Sequence, residues 1–182
     1  MVWEKERKKK MKLLKVVIAV NIVVVSIGLV VFIGASMYAV TTINLLSNSV
    51  YYAQRMPHKE GTEPDLVMLI ENMWWVYTPE IEGIRYDDDG ENAIIDTKNN
   101  FVLSETMGNF SYHKYHLSIG FDSTFRFHHV SDFTGEQPKR EIHEDEIKQE
   151  IREVFAPVID AQPKPRINLQ WLFNKMYQDR FN

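Results

Sequence analysis

Four histidines provide the first candidate chemistry, because they fall on two neighbouring segments of strand-like sequence. His113 and His116 share one segment, and His128 and His129 share the next. Residues three apart on a regular strand point to opposite faces, so His116 would have to pair across strands with His128 or His129. Such a pair with a carboxylate like Asp132 could accept a metal. The alternative is that these are surface or half-buried strand histidines. No HExxH motif or cysteine ligand supports a metal, and we predict no metal or cofactor.

An acidic run, Asp-Asp-Asp-Gly-Glu at residues 87–91, resembles the start of a calcium loop. In an EF-hand register that begins at Asp87, the sixth position is Asn92 instead of glycine and the twelfth is Lys98 instead of glutamate. The run therefore fails the motif. Asp-Gly between two strand-like segments is typical of a hairpin turn.

Three aromatic residues, Trp74, Trp75 and Tyr77, form a cluster in the sequence. They would line a ligand groove or a partner contact, or they would simply belong to the core. The candidate ligand or partner contacts predicted from the sequence are Trp74, Trp75, Tyr77, His116, His128 and His129.

Complete catalytic motifs are lacking. The sequence has no G-x-S-x-G, no phosphate-binding glycine loop and no dinucleotide fingerprint. It also has no cysteine, which excludes disulfides, zinc–thiolate sites and a cysteine nucleophile. The sequence thus favours a protein that is not an enzyme, although it does not decide the question.

The elements that would position these residues are helices and short strands. After a linker comes an amphipathic helix with Thr62 as a plausible N-cap and Pro64 and Asp65 in its first turn, and Pro79 closes the segment. The stripe expected to pack on a sheet is Leu66, Leu69, Ile70, Met73, Trp74 and Tyr77, with Trp75 off the stripe.

Residues 81–133 read as strands with connections too short for parallel crossovers. The predicted strands are residues 84–86, 93–95, 101–103, 110–121 and 124–130. Two helical patterns follow. The first has the stripe Ile142, Ile147, Ile151, Val154, Phe155 and Val158, with Pro157 expected to bend or end the helix. The second has Asn168 as cap and the stripe Leu169, Leu172, Phe173, Met176 and Tyr177. This order predicts an α+β domain, with an antiparallel sheet of about four or five strands flanked by helices.

The N-terminal region predicts a transmembrane anchor. Residues 16–40 contain no charged side chain, and as a helix they would rise roughly 37 Å, enough to cross a bilayer with a modest tilt. Two alternatives are a cleaved signal peptide, for which the apolar run is long, and a buried helix of a soluble domain, which would rarely lack a polar face. Ala35 and Ala39, spaced as small-xxx-small, and Asn21 would suit a homo-oligomer through this helix.

Charge predicts the orientation. Residues 1–15 carry seven basic and two acidic side chains, whereas residues 16–182 carry 14 basic and 23 acidic ones. Positive charge before a span stays cytoplasmic, so the C-terminal domain is expected outside. The acidic body argues against nucleic acid as a partner. The predicted contacts with anionic headgroups are Lys8, Lys9, Lys10, Lys12 and Lys15.

The sequence therefore predicts four regions: a basic cytoplasmic tail at 1–15, a transmembrane helix at 16–40, a stalk and linker at 41–61, and an extracytoplasmic domain at 62–182. We expect a single-pass accessory or interaction protein of the cell membrane whose partners are the lipid bilayer and another envelope component. A tethered small-ligand sensor and a tethered hydrolase are the alternative functions.

Overall fold

The computed structural model describes residues 2–87, 92–106, 109–114, 117–132 and 143–182, with backbone alone at residues 2, 5 and 8. The chain divides into two compact units, Met1–Thr42 and Ile43–Asn182. The helices are α1 (Val2–Ser47), α2 (Ser49–Ala53), α3 (Pro64–Glu71), α4 (Glu144–Asp160) and α5 (Gln170–Phe181). The strands are β1 (Ile84–Asp87), β2 (Ala93–Asp96), β3 (Phe101–Thr106), β4 (Asn109–Lys114), β5 (Leu117–Phe121) and β6 (Phe127–Asp132).

Helix α1 contains the predicted anchor. Within it, residues 9–47 are long and apolar enough to cross a membrane, and the most apolar window has no buried residue. Its polar side chains bond to the helix itself: Asn21 Nδ2 donates to the carbonyl of Val17 (2.9 Å), and Ser26 Oγ donates to that of Ile22 (2.8 Å). Such bonds satisfy polar groups without water. The helix is compatible with a membrane anchor or a signal sequence.

The second unit is built on one antiparallel meander, in which strands β1 to β6 lie in sequence order. The α+β class and the antiparallel sheet with helices are as the sequence predicts. The strand count differs, because the predicted strand over residues 110–121 is two strands, β4 and β5. These two strands pair with each other, with Lys114 opposite Leu117. The sequence between them, Tyr-His, carries none of the usual turn residues, so the pattern gave no signal for a reversal.

One face of the sheet supplies the core. The strand register places Ile94, Leu103, Tyr112 and Ile119 in one row across four strands, and all four are fully buried. Three phenylalanines extend this face with ring contacts, as Phe125 packs on both Phe110 and Phe121. Helix α3 lies in the same hydrophobic cluster. The space between sheet and helix is therefore occupied by large side chains.

Helix α3 is shorter and more deeply buried than the sequence predicts. Every residue from Pro64 to Ile70 is buried, as expected for a helix whose only polar side chain in this range is Asp65. The helix ends at Glu71, because the backbone of Asn72 leaves the helical region (φ −109°, ψ 23°). The prediction that the helical stripe continues to Tyr77 is wrong. The N-cap of α3 is Glu63 and not Thr62. The hydroxyl of Thr62 instead donates to the carbonyl of Lys59.

Residues that precede position 62 also belong to the second unit. Val50, Tyr52 and Ala53 of α2 are buried in its core, and so is Met56. Tyr52 contacts Phe173 of α5, with ring centroids 5.4 Å apart. The compact unit thus includes chain that the sequence pattern assigns to a stalk and linker.

The two C-terminal helices pack as predicted along most of their stripes. Ile151, Phe155 and Val158 of α4 are buried, as is Phe173 of α5. Helix α4 does not end at Pro157 but continues to Asp160. Met176, predicted in the buried stripe of α5, is exposed, which corrects that prediction.

Candidate functional site: an exposed aromatic segment

Residues 74–77, which we call the aromatic segment, follow α3 after two intervening residues, Asn72 and Met73. Their exposed fractions are 70% for Trp74, 50% for Trp75 and 52% for Tyr77. The predicted continuation of α3 would have buried Trp74 and Tyr77, but the helix ends at Glu71, three residues before Trp74. The alternative that these rings form part of the core is therefore wrong, as is the prediction that Trp74 and Tyr77 pack on the sheet.

The backbone of the aromatic segment is fixed at its start by a turn around Asn72. The carbonyl of Asn72 accepts bonds from the backbone N–H groups of Trp75 (2.8 Å) and Val76 (3.0 Å). Val76 is itself buried and belongs to the core cluster. The rings thus project from backbone that is held by the interior.

The end of the segment is held by two other elements. Gln162 Nε2, just after α4, donates to the carbonyl of Tyr77 (2.7 Å), and the hydroxyl of Tyr86 on β1 donates to the carbonyl of Pro79 (3.0 Å). Burial raises the pKa of Tyr86 to about 12, and the nearby phenol of Tyr77 adds to the rise. Tyr86 is therefore a neutral donor at neutral pH.

This geometry suits contact with another surface more than it suits catalysis. Large apolar side chains held in place at the surface are typical of interaction sites. Tryptophan and tyrosine are also enriched among residues that dominate binding energy. Tyr77 and Trp75 add polar atoms that a partner can engage.

Two of the candidate histidines lie on β6, the edge strand opposite β1. His128 and His129 are exposed on β6, with their Nδ1 atoms 3.3 Å apart. The ring of His129 lies over Gly120 of β5, where an added Cβ would stand 2.3 Å from the ring's Cε1. His116 lies outside the described residues, so its predicted cross-strand pairing stays a prediction.

Metal binding finds no support in the described part of the chain. Among those residues, no group of three or more histidine and carboxylate side chains could hold a metal ion. Most of the acidic run at 87–91 lies outside the described residues; Asp87 itself ends β1. The described residues identify no metal centre.

Charged groups between α3 and α4 are paired with one another. Arg152 of α4 bonds to the carboxylates of Glu63 and Asp65 (3.1 Å to the latter). Lys148, which is buried, bonds to Glu144 and to the carbonyl of Gly61. Gly61, Glu63, Lys148 and Arg152, together with Asp145 and Gln149, line a shallow cleft of about 270 Å³.

The pKa of Glu144 reflects this pairing. Burial acts to raise it, but hydrogen bonds from Lys148 and from the backbone N–H of Phe127 outweigh burial and lower it. Lys148, Glu63 and Arg152, which line the cleft, are thus engaged in structural ion pairs.

The predicted membrane-surface lysines lie on α1. Lys9, Lys10, Lys12 and Lys15 are exposed, and the side chain of Lys8 lies outside the described residues. A helix with a basic end and a long apolar stretch is the arrangement expected of a membrane anchor.

Sequence reasoning overlooked Trp171 and Ile167, which are 67% and 55% exposed. Trp171 falls between the positions of the α5 stripe, and this off-stripe position was a signal that could have identified it. Ile167 lies in an irregular segment, where periodicity gives no signal.

Comparison with known proteins returns no match to a family model, a curated protein or a solved structure.

Proposed function

We propose that this chain is a single-pass membrane-anchored accessory protein whose second unit binds another component of the cell envelope. In this proposal α1 spans the bilayer, the basic N-terminal residues stay in the cytoplasm, and the second unit lies outside. The apolar length of α1 and the seven cations before the span support the anchor and its direction. Because α1 is also compatible with a cleaved signal sequence, the topology needs its own test.

The observation that carries the binding function is the aromatic segment. Three large rings are exposed on backbone that is fixed at both ends. A fixed segment loses little conformational freedom on binding, so more of the contact energy appears as affinity. The rings would insert into an apolar depression of the partner.

Charge adds a second property of the partner. Residues 16–182 carry nine more acidic than basic side chains, and Glu80 and Glu82 near the aromatic segment are exposed. Complementary potentials speed association and align partners. The partner surface is therefore expected to surround its apolar depression with basic residues.

The filled space between the sheet and α3 gives no support to a small-ligand sensor whose pocket lies there. The paired charges of Arg152 and Lys148 likewise give no support to a hydrolase that would use them. A second copy of the chain, paired through the small residues of α1, remains compatible with an accessory role.

Site-specific photocrosslinking in intact cells tests the binding function. A photoreactive phenylalanine analogue at Trp75 should give a discrete adduct whose partner peptide is identified by mass spectrometry. Trp74→Ala combined with Tyr77→Ala should abolish the adduct at equal protein level. Trp171→Ala is the matched control, since it removes an equally exposed tryptophan elsewhere, and it should leave the adduct intact.

Two results would refute this function. One is an adduct that persists after loss of Trp74 and Tyr77, because the aromatic segment would then not be the contact. The other is the absence of any adduct in cells that contain the folded protein. An adduct with the chain itself would identify the partner as a second copy.

Protease treatment of spheroplasts tests the topology. Protease should remove the second unit and leave a fragment that contains α1 in the membrane. Protection of the second unit would overturn the orientation, and release of an intact second unit without protease would indicate cleavage of a signal sequence.

A further inference from the structure

The segment that leads into α5 and the first turns of that helix present apolar and basic side chains together. Ile167 and Trp171 are exposed, and so are Lys164, Arg166 and Lys175. Trp171 and Lys175 are four residues apart, so they lie on the same face of the helix. We call these five residues the basal surface.

Hydrogen bonds hold the basal surface beside residue 44. The carbonyl of Ile167 accepts bonds from Asn44 Nδ2 (3.3 Å) and from the hydroxyl of Tyr52 (2.9 Å). The backbone N–H of Leu169 donates to the same hydroxyl (3.1 Å). All these atoms belong to the second unit, and they tie residues 167–169 to its first residues.

Chain connectivity then limits how far the basal surface can lie from the membrane. Asn44 follows Val40, the end of the apolar run, by four residues. Four residues span at most about 14 Å even when fully extended. In a chain that is anchored by α1, residues 167–169 therefore lie close to the headgroup region, because they are bonded to Asn44 and Tyr52.

The charge of this region is opposite to that of the rest of the body. Residues 162–182 carry four basic side chains and one acidic one, whereas residues 16–161 carry 10 basic and 22 acidic ones. Arg180 is engaged with Glu71 (2.6 Å), so the basal surface holds the other three basic residues of the segment. The acidic body would be repelled by an anionic surface, and this segment would be attracted to it.

We propose that the basal surface docks onto the anionic phospholipid headgroups of the bilayer that α1 spans, with Trp171 and Ile167 inserted at the interface. This inference rests on the proposed anchoring by α1. Tryptophan prefers the boundary between hydrocarbon and headgroups, and basic side chains beside it add attraction to anionic lipid. Docking fixes one orientation of the second unit and thereby presents the aromatic segment to its partner in a constant direction.

The expected effect of charge follows from known membrane electrostatics. Each basic side chain at an anionic surface contributes about fivefold to the ratio of docked to undocked protein, which corresponds to about 1 kcal/mol. Loss of all three should therefore reduce this ratio on the order of 100-fold.

Tryptophan quenching by brominated lipid, measured on the full chain in vesicles, tests the docking. Trp3→Phe, Trp74→Phe and Trp75→Phe leave Trp171 as the sole tryptophan. The matched control adds Trp171→Phe and Ser123→Trp. Ser123 is exposed, and its carbonyl contacts Arg180 at the far end of α5, which is about 13 Å along the helix from position 171.

Brominated phosphatidylcholine mixed with phosphatidylglycerol should quench most of the Trp171 fluorescence and spare the tryptophan at 123. Quenching should fall sharply in vesicles without phosphatidylglycerol. It should fall equally in the variant that combines Lys164→Gln, Arg166→Gln and Lys175→Gln. Circular dichroism should show that these exposed substitutions leave the fold intact.

Failure of docking and failure of anchoring give different results. Flotation of the protein with vesicles at alkaline pH reports insertion of α1 alone. If the protein floats but Trp171 is not quenched, or is quenched equally without anionic lipid, the docking inference is overturned and anchoring stands. Quenching of both reporter positions also overturns it. If the protein does not float, anchoring and docking are both overturned.

Discussion

Replacing Tyr52 with phenylalanine removes one hydroxyl group that joins three parts of the second unit. The hydroxyl donates its proton to Asn44 Oδ1 (2.8 Å) or to the carbonyl of Ile167 (2.9 Å), and it accepts the backbone N–H of Leu169 (3.1 Å). The side chain is fully buried. Burial raises its pKa, and the bond from Leu169 partly opposes the rise, so the hydroxyl stays protonated at neutral pH.

The expected loss of stability combines two effects. Loss of a typical hydrogen bond lowers the free energy of unfolding by about 1 kcal/mol, and an orphaned buried donor adds about 1 kcal/mol or more. Tyr52→Phe should therefore lower the unfolding free energy by about 2 kcal/mol. At a slope of about 2 kcal/mol per molar urea, the midpoint should fall by about 1 M.

The assay is urea unfolding of the full chain in detergent, followed by tryptophan fluorescence. Hydrogen exchange at the amide of Leu169 provides a local readout, which should accelerate in the variant. Tyr51→Phe is the matched control, because it removes the hydroxyl of the preceding residue. The ring of Tyr51 is partly exposed, and its hydroxyl forms no hydrogen bond within the described part of the chain. Equal midpoints for the two variants would refute the role assigned to the Tyr52 hydroxyl.

Three further predictions concern Asp122 in the turn between β5 and β6, Gly83 with its positive φ, and the core. Burial acts to raise the pKa of Asp122, but hydrogen bonds from Thr124 and Arg126 outweigh burial and lower it. The carboxylate therefore contributes fully to the unfolding free energy above the ordinary aspartate pKa of 3.8, and this contribution is lost as the pH falls below that value. Urea midpoints should show that Asp122→Asn destabilises the protein by about 1 kcal/mol at pH 7 but not in acid. Gly83→Ala should lower the melting temperature more than Gly61→Ala does, because the positive φ (+91°) disfavours alanine by about 1–2 kcal/mol and the added Cβ would also crowd the side chain of Lys98. Leu66→Ala should destabilise by about 2–5 kcal/mol in urea unfolding, because Leu66 is fully buried.

Each of these has a control that could contradict it. A destabilisation by Asp122→Asn that persists in acid would show that the carboxylate charge is not its source. Gly61→Ala shares a positive φ (+85°) but meets no atom within 4 Å, whereas a Cβ at Gly83 stands 2.7 Å from Lys98 Cε. Equal effects of the two glycine substitutions would exclude a contribution from that clash. Trp74→Ala should barely change stability, and a loss as large as that of Leu66→Ala would contradict its exposure.

Local sequence features predicted those properties that depend on neighbouring residues in the chain. The α1 helix followed from a long uncharged run, since apolar length and flanking charge are properties of consecutive residues. Short strands with turn residues between them indicated an antiparallel sheet, and β1 to β3 begin where the pattern placed them. The α+β class followed from the same order of elements.

The candidate site depended on information that periodicity does not contain. Trp74 and Tyr77 continue the helical spacing of α3, so only the turn at Asn72 decided that they face solvent. That turn is stabilised by burial of Met73 and Val76, which is a tertiary effect. The division of residues 110–121 into β4 and β5 likewise depends on cross-strand packing, because Tyr-His carries no turn signal.

The sequence by itself determined an apolar helix, its basic flank, an acidic body and the class of the domain. Only the tertiary structure decided which aromatic residues are exposed and which surface lies next to the start of the second unit. The bond from Asn44 to Ile167 joins residues 123 positions apart. Such contacts arise when the chain closes on a shared core, and no pattern within a short window of sequence specifies them.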